Sequence, residues 1–195
     1  MRSLPDPRLR DAFTAVGRQG FLPEAQRRFA SEDHPLDIGW SQTNSQPTTV
    51  ANMLELLDVH EGQRILDVGA GSGWTTALLG HLVGPTGRVV GVELVPELAT
   101  WGAANVGHHP LPWATVEASE PGMLGKPIEG PYDRILVSAG AGDLPDALVK
   151  QLADDGLLVI PVQGEMLLVH RMTDGSTSVT RHGSYAFVPL LAEPR

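Results

Sequence analysis

The chain has no cysteine, which excludes a disulfide framework and any metal site built on thiolates. It has no apolar run long enough to span a bilayer. Its opening residues, MRSLPDPRLR, lack the apolar segment of a secretory signal, so a cytoplasmic protein with no membrane partner is expected. Basic residues number 14 against 23 acidic ones, for a net charge of −9. That balance disfavours a large nucleic-acid footprint. The seven histidines are scattered; His81, His108 and His109 read as surface residues, and no metal is expected. Internal repeats and low-complexity tracts are absent too. What the chain does have is 42% hydrophobic residues over a length of 195. That is enough for one well-buried domain and short for two, and a monomer is expected.

The stretch from Ile65 to Trp74, ILDVGAGSGW, organises the rest. Ile65, Leu66 and Val68 form the short apolar run of a central parallel strand buried on both faces, with Asp67 near its carboxyl end. Gly69, Gly71 and Gly73 follow, and glycines let the chain turn sharply and let a ligand approach the backbone. Residues 74–83, WTTALLGHLV, read as the next helix, its N-terminal amides facing that ligand. A second apolar run, Arg88 to Val92, ends at Glu93, where a carboxylate can accept both hydroxyls of a ribose. An ordinary strand-to-helix turn is the competing explanation of the glycines. Glu93 and the strand–loop–helix context argue against it. The dinucleotide pattern GxGxxG is not met, because Trp74 stands where its third glycine belongs. The shorter loop resembles motif I of the S-adenosylmethionine-dependent methyltransferases, which makes an oxidoreductase the weaker reading.

Around this unit the elements follow in order. Asp6 and Pro7 open a helix with Leu9, Phe13 and Val16 on one face, and Pro23-Glu24 opens a short one through Phe29. Ser31 to Pro47 shows neither helical nor strand period, and is either a functional segment or an arm packed over the cofactor domain. Residues 47–57 read as a helix, Pro96 opens another, and Thr115 to Glu117 is a short strand. Arg134 to Val137 is a buried strand, Asp143 to Ala153 a helix with Leu144, Leu148 and Leu152 at helical spacing, and Leu157 to Val162 a strand. Met166 to Met172 and Thr177 to Gly183 form a hairpin. Strands alternating with helices imply a mostly parallel sheet with an antiparallel edge.

Residues 38–57, IGWSQTNSQPTTVANMLELL, resemble the IGxGQTISQPxxVAxMxELL signature of the protein-L-isoaspartate O-methyltransferases. The likeness continues through LDVGAGSGW, through residues 131–162 and into FVPL at 187–190. It implies an α/β class I methyltransferase fold, a Rossmann-like sheet with helices on both faces, a helical arm before it and an antiparallel hairpin after it. One domain would cover 1–195: an arm over 1–58, a cofactor-binding core over 59–162, and a hairpin and tail over 163–195. The implied activity is methyl transfer from S-adenosylmethionine to the free carboxylate of isoaspartyl residues in damaged proteins or peptides, a repair reaction. Ser45 takes the place of the active-site serine, with a helix N-cap before Pro47 as its alternative role. Gln42 and Thr43 are then substrate-binding, and Asp67, Gly69, Gly71, Gly73, Glu93 and Leu94 cofactor-binding.

Two departures stand out. The signature's isoleucine is Asn44 and its GxG is Gly39-Trp40-Ser41, which implies a changed substrate wall. That wall would suit a paralogue methylating a specific aspartyl peptide or a small carboxylate. The GDG after the third strand is replaced by Ser119-Glu120-Pro121, with Glu120 expected to serve the adenine side. A module that binds the cofactor without turnover is the alternative from another class.

Overall fold

The computed structural model describes residues 6–191; the ends of the expected arm and tail, 1–5 and 192–195, lie outside them. Helix α1 (Pro7–Ala15) starts where Asp6 accepts the Arg8 amide at 2.8 Å and proline occupies the first helical position, where its missing N–H costs nothing. Leu9 and Ala12 are buried. Residues 24–29 form a 3₁₀ helix.

The segment expected to be irregular contains a two-stranded hairpin, β1 (Leu36–Gly39) against β2 (Gln42–Asn44). Its strands are too short to show a period, and Trp40 and Ser41 turn the chain at φ 52° and 57°. Helix α2 (Pro47–Leu57) buries Val50, Met53, Leu54 and Leu57, each worth about 1.5–3 kcal/mol when fully removed from water.

The sheet has seven strands in the order β5-β4-β3-β6-β7-β8-β9. These are β3 (Arg64–Val68), β4 (Arg88–Glu93), β5 (Ala114–Ala118), β6 (Tyr132–Val137), β7 (Leu152–Val162), β8 (Glu165–Arg171) and β9 (Thr177–Ser184). The first five run parallel, β8 is antiparallel to β7 and β9 antiparallel to β8, giving the expected mixed edge. One face carries Ile65, Val89, Leu136 and Val159 against α1, α2 and α3 (Trp74–Val83), with α4 (Pro96–Gly107) closing its end. The opposite face carries Leu66, Val90, Ile135 and Leu158, and is covered thinly by the single turn α5 (Asp146–Val149) and the connection after β5.

That single turn replaces the helix expected over 143–153. Pro145 keeps Leu144 out of the helical region. Gln151 then stops the helix: its backbone oxygen accepts the Tyr132 amide at 2.8 Å, drawing Leu152 into β7 opposite Tyr132. The leucine spacing there was a coincidence of one turn followed by a strand.

The turn from β3 to α3 fits only because two backbones touch. Gly73 has φ +87°, and a Cβ there would stand 2.8 Å from the Gly102 oxygen and from Val106 Cγ2. A Cβ on Gly102 would stand 2.6 Å from the Gly71 oxygen. Helix propensity alone favours Gly102→Ala by about 1 kcal/mol, but the obstructing atoms are main chain and cannot step aside. Overpacking at about 1–3 kcal/mol should win, so urea denaturation is expected to find Gly102→Ala less stable than the parent; a more stable variant would refute the close approach.

Candidate active site

The strand order reverses between β3 and β6, the place where open α/β sheets bind ligands beyond their carboxyl ends. A cleft opens there, enclosing about 920 Å³ of space with its mouth included. Gly69, Ala70, Gly71 and Ser72 form its floor, Glu93, Leu94 and Val95 one wall, and Gln42, Thr43, Asn44 and Ser45 of the arm another. No side chain caps α3 from Gly73, and Trp74 and Thr75 of its first turn line the cleft.

Glu93 is only 6% exposed. Its Oε2 accepts the Gly71 amide at 2.9 Å and its Oε1 the Val95 amide at 3.0 Å. One carboxylate therefore clamps the glycine loop to the start of α4, and each oxygen keeps further acceptor capacity.

The sequence's candidates separate into two groups. Gln42, Thr43, Ser45, Gly69, Gly71, Glu93 and Leu94 come together around the cleft. Asp67, Gly73 and Glu120 do not. Gly73 is engaged in packing against α4. Glu120 is exposed, turned outward by a bend in which its carbonyl accepts the Met123 amide at 3.0 Å; Ser119, Met123 and Leu124 line that side instead.

Asp67 lies beneath the loop, fully buried. Its Oδ2 accepts from the hydroxyls of Thr75 and Thr76, both at 2.7 Å, while Oδ1 has no partner among the described residues. Burial pushes its pKa up to about 6, the two threonine hydroxyls oppose the rise, and the nearby Glu93 charge adds to it.

Ser45 is not the cap of α2. Gln46 holds the N-cap position without a side-chain hydrogen bond, and Asp33 reaches across the arm to accept the Thr48 amide at 2.9 Å and its hydroxyl at 2.7 Å. The expected wall change is also differently built. Trp40 sits at the hairpin tip, 49% exposed, on a groove outside the cleft, and Asn44 is buried with its amide turned into the protein.

Some of the lining escaped the sequence. Ser138 and Ala139 directly follow β6, the neighbour of β3, and were within reach of the switch-point rule. Val188 to Leu190 carry no periodic signal; they arrive because Gly140 donates to the Val188 oxygen at 2.7 Å and accepts from the Leu190 amide at 2.8 Å. Arg18, buried at 6% exposure, carries no mark of its role in the sequence. It donates to the carbonyls of Glu32 (3.0 Å), His34 (2.8 Å), Asn44 (3.0 Å) and Ser45 (2.9 Å), and so holds the arm over the cleft.

A family model described as protein-L-isoaspartate(D-aspartate) O-methyltransferase matches residues 2–194. Similar curated proteins named protein-L-isoaspartate O-methyltransferase include one from Methanopyrus kandleri, 45% identical over 95% of this chain and 84% of its own length. Another from Thermococcus onnurineus is 41% identical over 95% of this chain and 86% of its own. A crystal structure assigned as the Plasmodium falciparum protein-L-isoaspartate O-methyltransferase, in complex with S-adenosyl-L-homocysteine, superimposes with a TM-score of 0.83. It is 25% identical, over 97% of this chain and 92% of that one.

The buried Asp67 makes a pH prediction. Its folded pKa of about 6 lies above its ordinary value of 3.8, so the folded state holds the proton more tightly. Asp67 favours folding when protonated, and that contribution is lost as pH rises through 6. The unfolding free energy of the ligand-free parent, less that of Asp67→Asn, should fall by about 2 kcal/mol between about pH 4.5 and pH 7. A difference that stays flat in urea titrations across this range would show that Asp67 carries no raised pKa.

Proposed function

Since the chain belongs to the protein-L-isoaspartate(D-aspartate) O-methyltransferase family, we propose that its cleft takes S-adenosylmethionine over the glycine loop and an isoaspartyl carboxylate beneath Ser45. The chain is an S-adenosylmethionine-dependent carboxyl O-methyltransferase of the protein-repair class. The observation that carries the residue assignment is the meeting of two sequence-distant groups in one cleft: the glycine loop with Glu93, and the arm with Ser45.

The residues present suit this cofactor. Glu93 stands at the end of the strand next to β3 with acceptor capacity for the two ribose hydroxyls. Leu94, Val95, Met123 and Leu124 give an apolar shelf for a flat base. Ser119 replaces Glu120 as the polar group on the adenine side. Asp67 Oδ1, buried and without a partner among the described residues, leaves an acceptor under the floor, and Asp67 acts by holding α3 to β3 through Thr75 and Thr76. When bound, S-adenosylmethionine supplies a methyl group on a sulfonium sulfur, activated for in-line displacement.

The chain's own tasks are then few. An isoaspartyl carboxylate is already ionised near neutral pH, so no general base is required and a cleft without histidine or cysteine is sufficient. Ser45 can donate one hydrogen bond to the non-reacting carboxylate oxygen and leave the other aimed along the transfer axis. Gln42 and Thr43 precede it on β2 and would contact the substrate chain. The cleft walls exclude water from the path, and alignment of this kind is worth several orders of magnitude in rate. The resulting methyl ester loses methanol as the following backbone nitrogen closes a succinimide, whose hydrolysis returns part of the material as aspartate. The acidic balance, −9 overall, supports a reading with no nucleic-acid partner, and we place the activity in a cytoplasmic monomer that needs no membrane.

Ser45→Ala separates orientation of the substrate from stability. It should lower kcat/KM on an isoaspartyl peptide by roughly tenfold to a thousandfold, about 1.4–4 kcal/mol of transition-state stabilisation. Cofactor affinity, read by calorimetry, and melting temperature should change little, since Asp33 and not Ser45 supports α2. Full activity in the variant would remove Ser45 from the reaction.

A further inference from the structure

Asn44 is committed at both ends of its side chain. Its Oδ1 accepts from Arg18 Nε at 2.7 Å, and its Nδ2 donates to Ser72 Oγ at 3.1 Å. The orientation of the amide is fixed by chemistry: a guanidinium can only donate, so the oxygen must face Arg18 and the NH₂ must face the serine. Asn44 is 5% exposed, and both polar ends are engaged within the protein.

What the side chain joins are the two halves of the cleft. Ser72 lies between Gly71 and Gly73 in the glycine loop, and its carbonyl is held from α4 by Asn105 Nδ2 at 3.0 Å. Asn44 immediately precedes Ser45, whose carbonyl is held by Arg18 Nη2 at 2.9 Å. A continuous run of hydrogen bonds therefore leads from the arm at Ser45 through Asn44 to the loop. Arg18 also lies over the Trp74 ring, 5.5 Å from its centroid, so the anchor of the run is itself fixed to the first residue of α3.

We propose that Asn44 is a positioning residue, which sets the spacing between Ser45 and the glycine loop and so aligns the acceptor carboxylate with the methyl donor. The proposal rests on the methyltransferase reading above. Arm and loop make their link here through side chains rather than a shared strand, and a displacement of about 1 Å in such a geometry is worth on the order of a hundredfold in rate.

The test compares Asn44→Leu, similar in size and without either polar group, with Ser72→Ala and with the double variant. Ser72→Ala leaves the Arg18 bond to Asn44 intact, so it stays informative if Asn44→Leu fails to fold. Turnover is measured on an isoaspartyl peptide below the melting transition, alongside S-adenosylhomocysteine affinity by calorimetry. Both single variants should lose about tenfold or more in kcat at saturating peptide and cofactor. Affinity for S-adenosylhomocysteine should stay within about twofold, and the double variant should be no worse than the poorer single one, since both cut the same link. Folded variants with the parent's kcat overturn the proposal. So does a loss fully accounted for by weaker cofactor binding, or a double variant whose losses multiply. A parent that methylates no isoaspartyl peptide overturns the methyltransferase reading and this proposal together, whereas an active parent with unaffected variants overturns the proposal alone.

Discussion

The Gly71 oxygen and the backbone of α4 at Gly102 approach so closely that a single methyl group on Gly102 would come within 2.6 Å of the oxygen. That approach puts the glycine loop directly against α4, and two further contacts hold it there. The Glu93 carboxylate joins the amides of Gly71 and Val95, and Asn105 joins α4 to the Ser72 carbonyl. The loop is thus fixed to β4 and to α4, while Asp67 and the two threonines tie together β3 and α3, the strand and helix on either side of it. A site that must hold a small ligand in one orientation gains from a floor that cannot move, because binding then orders little that was not ordered already.

The arm is held by a different physical device. Arg18 is a buried cation, and its charge is met by five carbonyl oxygens and the Asn44 side chain, with Asp33 contributing at longer range. Burial lowers its pKa only to about 10, so it remains charged at neutral pH. Carbonyls from residues 30 to 45 converge on this one group, which explains how a segment with two very short strands keeps a defined shape. An unpaired cation in the same place would be costly; dense hydrogen bonding makes it tolerable and makes the arm depend on it.

The helix and strand boundaries near the glycine loop could be read from the sequence because local and tertiary signals agree there. Pro47 and Pro96 start helices, Gly73 precedes one, and the apolar runs at 65–68 and 89–92 are buried on both sides. The arm hairpin and the 143–153 region were misjudged because tertiary pairing, of β2 with β1 and of Leu152 with Tyr132, overrode local pattern. In the site, glycine spacing marked the floor but could not distinguish Gly69 and Gly71, which line the cleft, from Gly73, which packs against a helix. Asp67 and Glu120 lie apart from the cleft lining, which spacing could not show for a related reason: a carboxylate beside a motif carries no mark of the direction in which it points. Arg18 and Asn44 act through a network that spans 26 residues of sequence, which no local pattern encodes.

On the proposed reading, a carboxylate nucleophile, a floor that is fixed, and an arm that brings one hydroxyl over it make a site whose work is alignment rather than proton transfer. Its selectivity then resides in where the acceptor carboxylate stands relative to the backbone it hangs from. The most direct measurement supplies S-adenosylmethionine labelled in its methyl group, together with two peptides of one sequence, containing isoaspartate or aspartate at a single position. Base-labile label should accumulate on the isoaspartyl peptide and be near background on the aspartyl one. No label on either peptide, or equal label on both, would contradict the assignment of this cleft to isoaspartyl methylation.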